Sequence, residues 1–163
     1  MKFLVLISLA LALSGCSMQT ASWETVADTI EQQQPTYDIT VGLSESALTD
    51  RTDLCKRYET RDIQVDTQTF QAANLDAAVR YLSGFEAEKL TILQTSRFDL
   101  PEYQFAWYSQ TEEGGRLYRA DLVMDGMSCY AVVCSSPEQA GETAWEEARQ
   151  VFSSFGLSPA ELV

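Results

Sequence analysis

The chain has 163 residues, enough for one domain once an N-terminal targeting segment is set aside. Its hydrophobic content of 45% supports a packed core, while a formal charge of −13 repels phosphate backbones and argues against nucleic acid as a partner. Histidine is absent, which rules out Ser-His-Asp and Cys-His catalysis, the H-E-x-x-H zinc motif and deaminase-type zinc sites.

Met1-Lys2 brings one positive charge, and an apolar run follows from Phe3 to Leu13. About eleven residues are too few to cross a bilayer as a helix but suit the central region of a signal peptide. The run ends in Leu13-Ser14-Gly15-Cys16, which resembles the lipobox of bacterial lipoproteins. That resemblance implies transfer of a diacylglyceryl group to the Cys16 thiol and cleavage just before it. The mature chain would then sit on the extracytoplasmic face of a membrane, anchored by two or three acyl chains, palmitate among them, where one chain alone is marginal. Ser17 in place of Asp after the cysteine implies outer-membrane sorting in a double-membraned cell. Removing residues 1–15 takes away only Lys2 and leaves 10 basic residues against 24 acidic ones. Protein charge alone therefore disfavours lying on anionic lipid, and the lipid on Cys16 supplies the expected membrane contact.

Residues 16–22 read as a lipidated tether and 23–163 as one α+β domain. Ser22 suits a helix N-cap, Trp23, Val26, Ala27 and Ile30 share one face, and Pro35 stops the helix. Tyr37, Ile39 and Val41 alternate with polar neighbours, so 36–43 reads as a half-buried strand. Residues 44–54 are polar and aperiodic, a loop. Lys56 to Thr69 reads as one strand whose crowded charges suit a sheet edge. Asn74 then caps a helix with Leu75, Ala78, Val79 and Leu82 as its apolar stripe, and Gly84 ends it.

Residues 89–99 and 102–110 read as strands joined at Leu100-Pro101. On the second, Tyr103, Phe105 and Trp107 share a face, expected to be core beside the C-terminal helix. Gly114-Gly115 and Asp125-Gly126 are expected turns on either side of the strand Arg116 to Asp125, and Ser128 to Ser136 forms the next. Together the last four strands make an antiparallel meander. Ser136-Pro137 then opens a helix with Gly141, Ala144, Trp145, Ala148, Val151, Phe152 and Phe155 on one face.

With Cys16 assigned to the lipid, Cys55, Cys129 and Cys134 remain, an odd number for an exported protein. Cys129 and Cys134 point to opposite faces of one strand, about 16 Å apart. That is beyond the roughly 7 Å limit for a disulfide. Cys55 is left as a candidate partner of Cys129 or Cys134 in a structural disulfide. The other reading is three free thiols packed as small apolar residues.

Catalytic constellations are sparse. Lys56 and Lys89 are the lysines left after cleavage, and neither sits in an acyl-transfer motif. The pairs Glu86/Glu88, Glu112/Glu113 and Glu146/Glu147 fall in loop or solvent-facing helical contexts. Asp121/Asp125 is far short of a calcium loop, and Gly114-Gly115 has no phosphate-loop context. No metal or cofactor is expected, and no catalytic residue is assigned.

Across residues 89–157 the layout resembles the PsbP-like superfamily. The residues that carry this are Gly115, Tyr118, Arg119 and Ala120 in one strand, the tight Asp125-Gly126 turn, Y-A-V-V at Tyr130 to Val133, and F-S-S-F at Phe152 to Phe155. The resemblance implies an antiparallel sheet flanked by helices, an α/β/α sandwich, acting as a non-enzymatic binding or accessory module. The leading expectation is thus a lipid-anchored lipoprotein that binds a protein or another envelope component. A carboxylate-dependent hydrolase of envelope glycans is the first alternative and needs two acidic residues in a cleft, one with a raised pKa. A small-ligand carrier is the second and needs an apolar pocket beneath the Tyr103/Phe105/Trp107 face.

Overall fold

The structure, a computed structural model, describes residues 36–112 and 114–160. The signal peptide, the Cys16 anchor, the tether and the expected helix from Trp23 lie outside the described residues.

Seven strands form the main antiparallel sheet. They are β2 (Leu48–Arg51), β3 (Cys55–Glu59), β4 (Gln64–Gln71), β5 (Leu93–Arg97), β6 (Leu100–Thr111), β7 (Gly114–Asp125) and β8 (Ser128–Pro137), in the order β2-β3-β4-β8-β7-β6-β5. A separate two-stranded sheet pairs β1 (Tyr37–Thr40) with β9 (Gly156–Pro159). After β4 the chain passes through helix α1 (Leu75–Ser83) to the far edge of the sheet, then returns by the expected meander β5-β6-β7-β8. Helix α2 (Gly141–Ser154) follows β8.

The two helices cover opposite faces. Alternation along β8 sends Cys129, Ala131 and Val133 into one core with Ala78 and Val79 of α1, and Tyr130, Val132 and Cys134 into another with Ala144, Ala148 and Val151 of α2. A central strand covered on both sides has no polar face, which is why the sequence there is nearly all apolar. The fold is therefore α+β, an antiparallel sheet flanked by helices.

Local signals worked where they had a mechanism. Asn74 Oδ1 accepts from the Ala77 N–H at 2.9 Å, and Gly84 ends α1 in the left-handed region at φ 76°. Elsewhere tertiary pairing moved the boundaries. The stretch 44–54, expected as loop, contains edge strand β2. The expected single strand 56–69 is instead the hairpin β3-β4. Its turn is closed by Thr60, which donates its N–H to the Ile63 carbonyl at 3.0 Å and receives the Ile63 N–H on its hydroxyl. The charges crowding that stretch face each other across the hairpin, Arg57 gripping Asp66 with both arms.

The β5-β6 turn falls at Phe98-Asp99, not at Leu100-Pro101, and Pro101 stands within β6 opposite Ser96. Both turn residues are left-handed, at φ 56° and 61°, the requirement of a two-residue hairpin loop that normally selects Asn or Gly. Gly114 and Gly115 belong to β7, and the turn precedes them. Ser136 and Pro137 close β8, because they still pair with Leu117 and Arg116 of the long strand β7; α2 starts only at Gly141.

The row Phe105, Trp107 is core as expected, but on the α1 face and not beside the C-terminal helix. Trp107 stacks between Phe105 and Tyr118, with ring centroids 5.8 Å and 5.1 Å away.

Among the described residues, Cys55, Cys129 and Cys134 are free thiols. Cys55 pairs in register with Gln68, and Gln68 with Ala131, so Cys55 lies two strands from β8. Two strand spacings are about 9.5 Å, beyond the reach of a disulfide to Cys129 or Cys134. Burial pushes the Cys129 thiol up to about 11 and the Cys134 thiol up to about 12, so neither supplies a thiolate at neutral pH.

Candidate functional site

Two features share the α2 face of the sheet. The first is a groove of about 280 Å³, floored by the β6-β7 pair at Ala106-Trp107 and Leu117 to Arg119, and walled by Trp145 of α2. Ala106 and Arg119 are direct partners in the ladder. The Arg119 guanidinium lies 4.2 Å from the centre of the Trp145 ring, a cation–π contact at the lip. Trp145 is half-buried and so presents ring surface to the groove as well as to the core. Beyond it, the Tyr108 hydroxyl donates to Gln110 at 2.8 Å and reaches Glu138 at 3.4 Å. Gly115 lies against that tyrosine ring and Glu138, so closely that a Cβ there would collide with both.

The second feature begins two ladder pairs further along, at Gln104 and Asp121. Here Arg97 reaches in from β5. Its Nε donates to Glu102 Oε1 at 2.5 Å, its outer nitrogens to Asp121 Oδ2 at 3.1 Å and to the backbone carbonyls of Phe152 and Phe155 at 3.2 and 3.3 Å. Thr95 donates its hydroxyl to Glu102 Oε2, and Gln104 donates to Asp121 Oδ2 at 3.5 Å. The Phe155 ring packs on the guanidinium at 5.3 Å. One cation thus joins two carboxylates to the last carbonyls of α2, where the helix dipole favours positive charge.

Glu102 is 5% exposed and Asp121 1% exposed. The two acids diverge. Glu102 is desolvated, yet hydrogen bonds from Thr95, Arg97 and Asp121, together with the Arg97 charge, leave its carboxyl below the ordinary range. Burial, then its hydrogen bond to Glu102, pushes Asp121 up to about 7 in spite of Arg97. Among the described residues, Asp121 Oδ1 is the buried side-chain atom left without a partner when both groups are written as carboxylates.

Placed against the expected sites, this geometry separates them. A pair of acids with divergent pKa values exists, but it is sealed between sheet and helix and does not line the groove. The apolar pocket expected beneath Tyr103, Phe105 and Trp107 is filled by the α1 core, and the groove opens on the opposite face. Among the described residues no three Cys, Asp or Glu side chains converge as metal ligands, and no helix is long and apolar enough to cross a membrane. Sequence reasoning missed Arg97, Glu102 and Arg119. A faint signal existed in Asp121, an acid inside the apolar run Ala120 to Met124, beside a strand with both faces covered.

Neither a protein-family model nor a curated protein sequence matches this chain. Among solved structures it is similar to a protein of Bacteroides thetaiotaomicron VPI-5482, determined at 1.50 Å, with a TM-score of 0.50 and 10% identity. The match covers 78% of this chain and 49% of that one, so the chain spans about half the length of this neighbour. At such identity the likeness is one of fold alone, and it agrees with the α+β architecture.

Proposed function

We propose that this protein is a lipid-anchored extracytoplasmic lipoprotein whose domain is a non-catalytic binding or accessory module of the cell envelope. The observation that carries this reading is Leu13-Ser14-Gly15-Cys16 directly after the apolar run. Its anchor is a diacylglyceryl group on Cys16. Support for a non-catalytic role comes from the placement of Glu102 and Asp121, which substrate does not reach while α2 is seated. Helices on both faces of an antiparallel sheet accord with the PsbP-like kinship read from the sequence, and we assign the domain to that kind. The groove at Trp145 and Arg119 is the contact surface we assign to the partner, since it combines an aromatic face with a cation in a strongly acidic chain.

Cell fractionation tests the anchor. Cys16→Ala moves the protein from the membrane to the soluble fraction and abolishes incorporation of a labelled fatty acid; unchanged membrane retention overturns it. Arg119→Glu tests the groove. Mild-detergent extracts of the wild type yield a stoichiometric partner that this variant fails to hold, and equal recovery removes the groove from the reading.

A further inference from the structure

The cluster around Arg97 holds more acid than its donors satisfy. Glu102 has both oxygens occupied, by Arg97 and Thr95, and Asp121 Oδ2 is taken by Arg97 and Gln104. Asp121 Oδ1 is left over and buried with no donor, and the Asp121 carboxyl lies in hydrogen-bonding contact with that of Glu102. Two carboxylates in contact repel, and a buried acceptor with no donor is costly. A proton on Oδ1, donated to Glu102, removes both problems at once. We propose that Asp121 and Glu102 share one proton, and that this proton and Arg97 together form a latch that fastens the C-terminal end of α2 to the sheet.

Loss of that proton to water leaves two adjacent carboxylates against one guanidinium. The charges facing Asp121 give no compensation. β5 contributes Arg97; β6 contributes Glu102 and the neutral Gln104; β8 contributes the Cys134 thiol, still protonated. Helix α2 adds the carbonyl oxygens of Phe152 and Phe155 beside Arg97, and its Glu147 faces Cys134, as does Asp66 from β4. With the excess negative charge Arg97 is drawn to the acids and hydrated, and its hold on the α2 carbonyls weakens. The same helix walls the groove with Trp145, so the latch couples protonation to that wall.

The sign follows from the direction of the shift. Asp121 binds its proton more tightly when the latch is closed, with a pKa of about 7 against an ordinary 3.8. The closed form therefore gains stability at acid pH and loses it progressively as pH rises from about 4 to about 7, after which the loss is complete.

Amide hydrogen exchange of the purified full chain, corrected for intrinsic rates, reads the latch at residues 152–157. Opening there increases by about tenfold or more between pH 5.5 and 8, while the α1 face stays constant. Asp121→Asn, whose amide donates to Glu102 without titrating, holds the same protection at both pH values. If that variant does not fold, Glu102→Gln serves: its amide donates to Oδ1, returns Asp121 towards the ordinary range and flattens the profile. Carboxyl carbon-13 resonances decide the matter in the wild type itself. An Asp121 carboxyl that titrates near 4, or exchange at 152–157 that is independent of pH, overturns the proposal.

Discussion

The two faces of the sheet are held by different physics. Beneath α1 the core is built from rings and aliphatic chains, Phe105, Trp107, Leu122, Ala131 and Val79 among them, with no buried charge among the described residues. Beneath α2 an apolar core of Ile39, Val65, Tyr130 and Val151 shares the face with Arg97 and its two acids on β5, β6 and β7. Burial of apolar area has no direction, so the α1 face accepts many rotations and swaps of similar volume. A guanidinium with five donors in a fixed fork accepts one arrangement, so the α2 face is fixed in register by Arg97. One side supplies cohesion and the other supplies alignment.

Arg97→Ala gives the largest effect that separates them. It strands two acids in the core, and urea denaturation at neutral pH shows a loss of about 3–5 kcal/mol. The sharper form replaces Arg97, Glu102 and Asp121 together with leucine, which recovers most of that stability while the order of the α2 end declines. A triple variant no better than Arg97→Ala would mean that the cluster contributes attraction and not alignment. Next comes Leu122→Ala on the α1 face, fully buried in the wild type, with a loss of about 3 kcal/mol. Leu122 points away from its neighbour Asp121, so the cost is the same at pH 5.5 and pH 8, in contrast to changes within the Arg97 cluster on the other face. The smallest is Asn74→Ala, which removes the cap of α1 and costs about 1 kcal/mol by thermal unfolding, without altering exchange at the end of α2.

The same contrast explains what could be read in advance. Apolar periodicity identifies α1, α2 and the meander, because burial leaves its mark at every third, fourth or second residue. Asn74 and Gly84 bracket α1 by chemistry that acts within four residues. Nothing so local marks the charged cluster. Arg97, Glu102 and Asp121 come from three strands and converge only through the ladder that sets Gln104 opposite Asp121. The groove was equally hidden, since Ala106, Arg119 and Trp145 meet only after α2 folds back over β7. The missed turns have a related cause: Phe98 and Asp99 take left-handed backbone in place of the glycine that would have announced it. Thr60 to Ile63 turns with neither glycine nor proline.

The pairing of β1 with β9 has a mechanical consequence. Tyr37 lies opposite Pro159 and Thr40 opposite Gly156, and the Ala160 N–H donates to the Thr36 carbonyl at 3.1 Å, so entry and exit of the domain sit side by side. Tension applied between those two ends pulls along the hydrogen-bonded rungs and not along the strands, and opens the pair like a zip, one rung at a time. A load entering at Thr36 alone bears first on the same outermost rung, far below the seven-stranded sheet in the sequence of failure.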